Sequence, residues 1–211
     1  MSDKIKTAVV TGRHGFDVIG FTEMFRALST VEPYIQHMEH FCADPGRDAY
    51  DVVLLYHMIT EGPTDAQRQG IEGILDKGQG LFILHHAILG WPDWAEYSQL
   101  VGIEDRSFGY DMGQNLPVDV AAADHPITRD LPSAWQIEDE TYSMADAEAS
   151  DGNDVLLTTE HEVSMHGLAW TRQQQDSRVF CFQCGHDNLA YVNAQMRMVV
   201  QRGIEWCAGR I

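Results

Sequence analysis

The chain has 211 residues, 44% hydrophobic and 22% charged, the composition of a globular protein long enough to bury a substantial core. Lys and Arg number 14 against 32 Asp and Glu, a formal net charge of -18. A field of that sign repels phosphate backbones and anionic lipid, so neither nucleic acid nor a membrane surface is expected as a partner. A strongly anionic substrate would need a local cation or metal beside it.

Met1-Ser2-Asp3-Lys4-Ile5-Lys6 leads directly into a strand, without the pattern of a signal peptide, and no apolar run reaches spanning length. The first strand is expected over Lys4 to Thr11, followed by a turn at Gly12-Arg13-His14-Gly15. Phe21, Met24, Phe25 and Leu28 then recur at helical spacing. Tyr34 to Phe41 alternates loosely and reads as a second strand. Val52 to Tyr56 is wholly apolar, as buried parallel strands are. Thr64-x-x-Gln67 is a capping-box pattern that opens a helix with Ile71, Ile74 and Leu75 inside, closed by Gly78.

Leu81 to Leu84 is the next buried strand. The rhythm up to this point is that of a parallel sheet with right-handed crossovers. Beyond it, a short helix is expected over Trp91 to Val101 and a strand over Leu116 to Ala122. An acidic, loop-rich segment is expected over Asp124 to Ser150. Strands follow over Asp154 to Thr159, His166 to Thr171 and Arg178 to Gln183. A closing helix from about Asn193 buries Met196, Val199, Val200, Ile204 and Cys207. No repeat or linker divides the chain, so residues 1–211 are read as a single domain.

Cys42, Cys181, Cys184 and Cys207 are scattered and do not read as a disulfide framework. The Cys181-x-x-Cys184 pair falls in an expected strand, where positions three apart face opposite sides. Buried thiols in a reducing cytoplasm fit this usage.

Ten histidines are many for this length, and their positions matter more than their number. His14, His57, His85, His86 and His186 all fall at the ends of expected strands. In open α/β sheets ligands bind outside the carboxyl ends of the strands. Imidazole there can exchange a proton near neutrality or ligate a metal. For any one histidine, capping a helix or satisfying a carbonyl is the better explanation; for the set His85, His86 and His186, at least one functional member is the better reading.

Asp139-Glu140-Thr141-Tyr142 reads from composition as a solvated acidic loop, although a carboxylate facing imidazoles can orient one, act as a base or complete a metal site. Most of Trp91, Trp94, Tyr97, Phe108 and Tyr110 suit a core. Trp91, just past the His85-His86 corner, is singled out as a ring on which a sugar can stack. There is no Gly-x-Gly-x-x-Gly, phosphate-binding loop, Gly-x-Ser-x-Gly or His-Glu-x-x-His, so no nucleotide cofactor, serine hydrolase or standard zinc motif is expected.

The order of Gly78 through His85, Asp124-His125-Pro126-Ile127-Thr128, Asp139-Glu140-Thr141-Tyr142, Arg178 through Asp187 and Gly203-Ile204-Glu205-Trp206 resembles the trehalose-utilization (ThuA-like) family. That resemblance covers nearly the whole chain. It implies the class I glutamine amidotransferase-like fold: an α/β, three-layer α/β/α sandwich with a flavodoxin-like, mostly parallel sheet. In amidotransferases of this fold a cysteine follows the strand, whereas His85 stands in that place here. Imidazole does not replace thiolate in that mechanism, so glutamine hydrolysis is not expected.

By resemblance, the substrate is a small carbohydrate, a sugar or 3-keto-glycoside derivative. His85, His186 and Glu140 are the expected catalytic residues and the candidates for a divalent metal, with His14, His86, Trp91 and Tyr142 binding substrate. A sensing module without chemistry is the alternative, and homo-oligomerisation is left open. The chain departs from the family pattern in having His86 after the corner histidine and Gly109-Tyr110-Asp111 where a histidine-containing stretch is usual.

Overall fold

The structure is a computed structural model, and residues 4–211 are described; the leader-free start read at residues 1–3 lies outside them. Nine strands form one sheet: β1 Ile5–Gly12, β2 Val31–His37, β3 Val52–His57, β4 Gly80–Leu84, β5 Gly109–Val120, β6 Ala134–Ser143, β7 Asp154–Thr158, β8 Gly167–Gln174 and β9 Ser177–Phe182. The helices are α1 Val18–Arg26, α2 Met38–Ala43, α3 Asp65–Asp76, α4 Ala95–Val101, α5 Asn188–Tyr191 and α6 Ala194–Cys207.

Local chemistry sets these boundaries. Asp17 caps α1 by accepting from the Gly20 N–H, and Asn193 caps α6 through the Met196 N–H. The Thr64–Gln67 capping box forms as read, and Gly78, at φ 64°, turns the chain out of α3 in a conformation only glycine adopts freely. All five expected α6 residues are buried.

The sheet order is β2-β1-β3-β4-β9-β8-β7-β5-β6. The pairings among β2, β1, β3, β4 and β9 are parallel, and the rest are antiparallel. The sheet is therefore mixed, not mostly parallel: the late strands return by hairpins, which need no helical crossover. Two apolar clusters cover its faces. One gathers residues of α1, α5 and α6, the other residues of α2, α3 and α4.

Three expectations are corrected. The second strand lies at Val31–His37; after it Met38 and Phe41 turn inward on α2, whose first turn is capped by His37. The strand expected at Leu116 starts earlier, at Gly109, through a stretch exposed on both sides that carries no burial pattern to read. The acidic loop contains β6, in which Asp139, Glu140, Thr141 and Tyr142 are all buried. Cys181 and Cys184 are buried free thiols, with Cys184 just beyond β9. Among the described residues, no helix is long and apolar enough to cross a membrane.

Candidate active site

The carboxyl ends of the parallel strands carry imidazoles in a row. His37 and His57 close β2 and β3, His14 follows β1, His85 and His86 follow β4, and His186 lies beyond β9. His85 stands at the turn itself with φ 52°, a left-handed conformation costly for a residue with a Cβ. From that turn its ring reaches the Gln183 carbonyl beyond β9 and the Tyr142 hydroxyl on β6.

Three groups converge there. His85 Nε2 lies 3.2 Å from His186 Nδ1 and 3.5 Å from Glu140 Oε1, and His186 Nδ1 is also 3.5 Å from that oxygen. His85 Nδ1 sits 2.6 Å from the Gln183 carbonyl, which only accepts, so Nδ1 carries the proton of the neutral ring and Nε2 presents its lone pair; in the protonated ring Nε2 becomes the donor that faces Glu140 Oε1. The Tyr142 hydroxyl donates to that Nε2 at 2.8 Å, with the two rings stacked.

Two buried side chains hold the triad in register. The Asp139 carboxylate accepts from the backbone N–H of Glu140 (2.9 Å), Gly185 (2.6 Å) and His186 (3.0 Å), tying β6 to the loop after β9. The Gln183 backbone carbonyl accepts from His85 Nδ1, and its side-chain amide donates to the Glu140 backbone carbonyl at 3.0 Å. On the other side, the Tyr56 and Tyr191 hydroxyls donate to the His186 carbonyl. Of these four, Asp139 lay in the acidic stretch that the sequence singled out, while Gln183, Tyr56 and Tyr191 escaped the sequence reading. The legible signals were a glutamine ending the apolar run of β9 and a tyrosine inside that of β3.

The electrostatics follow from burial and neighbours. Burial pushes the Asp139 carboxyl up, against the pull of His85 and its three N–H donors. Burial also works to raise Glu140, but the hydrogen bond and charge of His85, with His186, hold it below the usual carboxylate range. Burial raises the Tyr142 phenol well above its ordinary value, assisted by Glu140 and Asp139. His86, buried among His14, Tyr56 and His85, is held far below the usual imidazole range by burial first and by His85 and His14 next. Neither of its ring nitrogens has a protein partner.

Six of the seven expected site residues therefore meet. His85, His186, Glu140 and Tyr142 are in hydrogen-bond contact, and His14 stacks on His86 at 4.4 Å while meeting His186 at 5.5 Å. Trp91 does not join them. Its backbone N–H donates to the Ile59 carbonyl, and its fully buried ring packs on His57, Trp94 and Tyr97. The chain dives into the core directly after the corner, so Trp91 is a core ring and not a sugar platform.

His85, Glu140 and His186 each offer one ligand atom within 4.8 Å of the others. A tetrahedral ion with bonds of about 2.0–2.2 Å sets its ligand atoms about 3.3–3.6 Å apart, close to the spacing seen here. Donor types, spacing and the fixed His85 tautomer thus fit a divalent cation.

Solved structures share the architecture. A ThuA-like protein from Parabacteroides merdae superposes with a TM-score of 0.82 at 18% identity, over 99% of this chain and 92% of that one. A ThuA-like protein from Bacteroides uniformis gives 0.75 at 17%, over 98% and 93%. A glutamine amidotransferase from Thermotoga maritima gives 0.50 at 12%, over 96% and 98%. No curated protein matches the chain. The class is thus an α/β sandwich of the glutamine amidotransferase-like kind, with imidazole at the turn after β4. Within that class the chain belongs to the ThuA family, described as trehalose utilisation, which matches residues 30–207.

Proposed function

We propose that this protein is an enzyme of carbohydrate metabolism that acts on a sugar or 3-keto-glycoside by proton transfer at His85, Glu140 and His186. The observation that carries this reading is the convergence of two imidazoles and a carboxylate of lowered pKa at the carboxyl end of the sheet. A ketone acidifies the neighbouring C–H, and Glu140, ionised at neutral pH, is the base that takes that proton. Tyr142, kept protonated by burial, can turn its one O–H from His85 Nε2 to an oxygen that gains negative charge once that ring is protonated. His85, locked by Gln183, orients Tyr142 through its Nε2, and its protonated form pairs with Glu140. His14 presents an imidazole edge to sugar hydroxyls, and the buried His86 supports the His14 ring from behind. A divalent metal, where bound, would be held by His85, Glu140 and His186 and would supply charge stabilisation to the developing oxyanion.

A small-molecule carbohydrate is the partner under this reading, and a cytoplasmic setting suits the four free thiols. The test is turnover of 3-keto-glycosides followed by NMR, wild type against His85→Ala, together with metal content by mass spectrometry. Turnover is expected for the wild type, with a loss of at least about a hundredfold in the variant. Identical behaviour of the two proteins on every substrate would overturn the assignment.

A further inference from the structure

The stretch of β5 from Gly109 to Asn115 runs out past the core, paired on one side with β6. Its other edge meets β7 only at Asp119 and Val120. Large apolar side chains are nonetheless exposed at and beside its start: Phe108 is 37% and Tyr110 61% accessible. Such rings are unusual on so acidic a surface unless something covers them.

Their place says what that is. Tyr110 pairs directly across the strands with Tyr142, and residues opposite one another in an antiparallel pair share a face. Glu140, two residues from Tyr142, lies on that same face. The Phe108 ring meets the Tyr142 ring edge-on at 5.7 Å, and the Tyr142 hydroxyl in turn donates to His85. The exposed aromatic pair is therefore linked to the triad through the buried Tyr142 ring, which touches both.

The geometry points to Phe108 and Tyr110 as the platform on which the ring of a pyranoside lies while its reacting carbon faces His85, Glu140 and His186. The ligand class follows from the pairing of chemistries. An aromatic face suits the apolar C–H face of a sugar, and the histidines and carboxylate beside it suit hydroxyl and carbonyl oxygen. This rests on the keto-glycoside reading above and deepens it, giving Phe108 the role that the sequence had assigned to Trp91. Phe108 sets specificity through binding and takes no part in the proton transfer.

The experiment compares wild type, Phe108→Ala and Phe108→Trp in two assays: turnover of 3-keto-trehalose and calorimetric binding of trehalose as an unreactive probe. Phe108→Ala is expected to raise KM and the trehalose Kd about tenfold while kcat stays within about twofold, and Phe108→Trp to restore both. Unchanged KM and Kd in a protein that still turns substrate over would overturn the platform and leave the triad standing. If wild type and His85→Ala are alike on the keto-sugar, the catalytic reading falls, and the trehalose Kd alone decides the platform. Sedimentation adds a third arm. A wild-type dimer that Phe108→Ala dissociates without weakening trehalose binding would make the stripe a self-interface and overturn the proposal.

Discussion

Replacing Asp139 by asparagine probes the strut that joins two members of the triad. Its Oδ1 accepts from the N–H of Glu140 and His186, and its Oδ2 from that of Gly185. An asparagine whose oxygen takes the Oδ1 position keeps two of these bonds but turns its NH₂ toward the Gly185 N–H, donor against donor. The lost bond and the stranded buried donor cost about 1–3 kcal/mol. The two surviving bonds pass from charge-assisted to neutral and together lose about 1 kcal/mol more. Relief of the buried charge, whose desolvation raises the Asp139 pKa, offsets part of this. A net loss of about 2–3 kcal/mol is expected in urea unfolding. Because the loop carrying His186 is released, affinity for zinc or manganese should also fall about 10–100-fold, the usual effect of removing a group that supports a metal ligand. Unchanged unfolding midpoint together with metal affinity within about twofold of wild type would refute the strut.

Two further perturbations test the frame around the site. Burial and the nearby Arg106 charge hold His57 down to about 3, so between its ordinary value near 6.5 and that point only the unfolded chain takes up its proton. The stabilisation is complete above about pH 6.5 and is lost on acidification at about 1.4 kcal/mol per pH unit. His57→Gln should flatten the decline of stability between about pH 6 and 4 by that slope, and parallel curves for the two proteins would refute it. At Gly80, a Cβ would come within 2.8 Å of Cys207 backbone and side-chain atoms at the end of α6. Gly80→Ala should therefore cost about 1–3 kcal/mol by displacing α6, measured by thermal unfolding, and an unaltered midpoint would show that the helix gives way freely.

The inner strands of the parallel half were legible because they are buried on both faces and read as apolar runs, whereas the edge strand β2, mostly exposed, was misplaced. Val52–His57 and Gly80–Leu84 are examples, and the capped helices between them carry their own start signals. The antiparallel half hid for the opposite reason. In β6 the buried positions include Asp139, Glu140 and Thr141, whose burial is supported by hydrogen bonds that only the folded chain supplies, so the segment looked like a solvated loop. Trp91 and Phe108 misled in a matched way. Both are aromatic residues shortly after the corner, and sequence distance favoured the nearer one, while the register of β5 on β6 brings the farther one to Tyr142.

That division also explains how the site is assembled. A parallel sheet delivers side chains to its carboxyl edge from strands that all end there, which is how His14, His57, His85, His86 and His186 gather. It does so with loops as the carriers, and loops alone do not fix the reach of a ring to within a hydrogen bond. The hairpin strands solve this by bringing a strand, β6, beside the same edge. Glu140 and Tyr142 arrive on a hydrogen-bonded ladder, and Asp139 from that ladder seizes the His186 loop while Gln183 at the end of β9 seizes His85. At the turn where an amidotransferase-like fold would expose a thiolate, an imidazole of fixed tautomer is aimed at a carboxylate and a second imidazole. Those groups are chemically suited to exchanging protons or ligating a cation, and none of them is the thiolate that an acyl-enzyme would need.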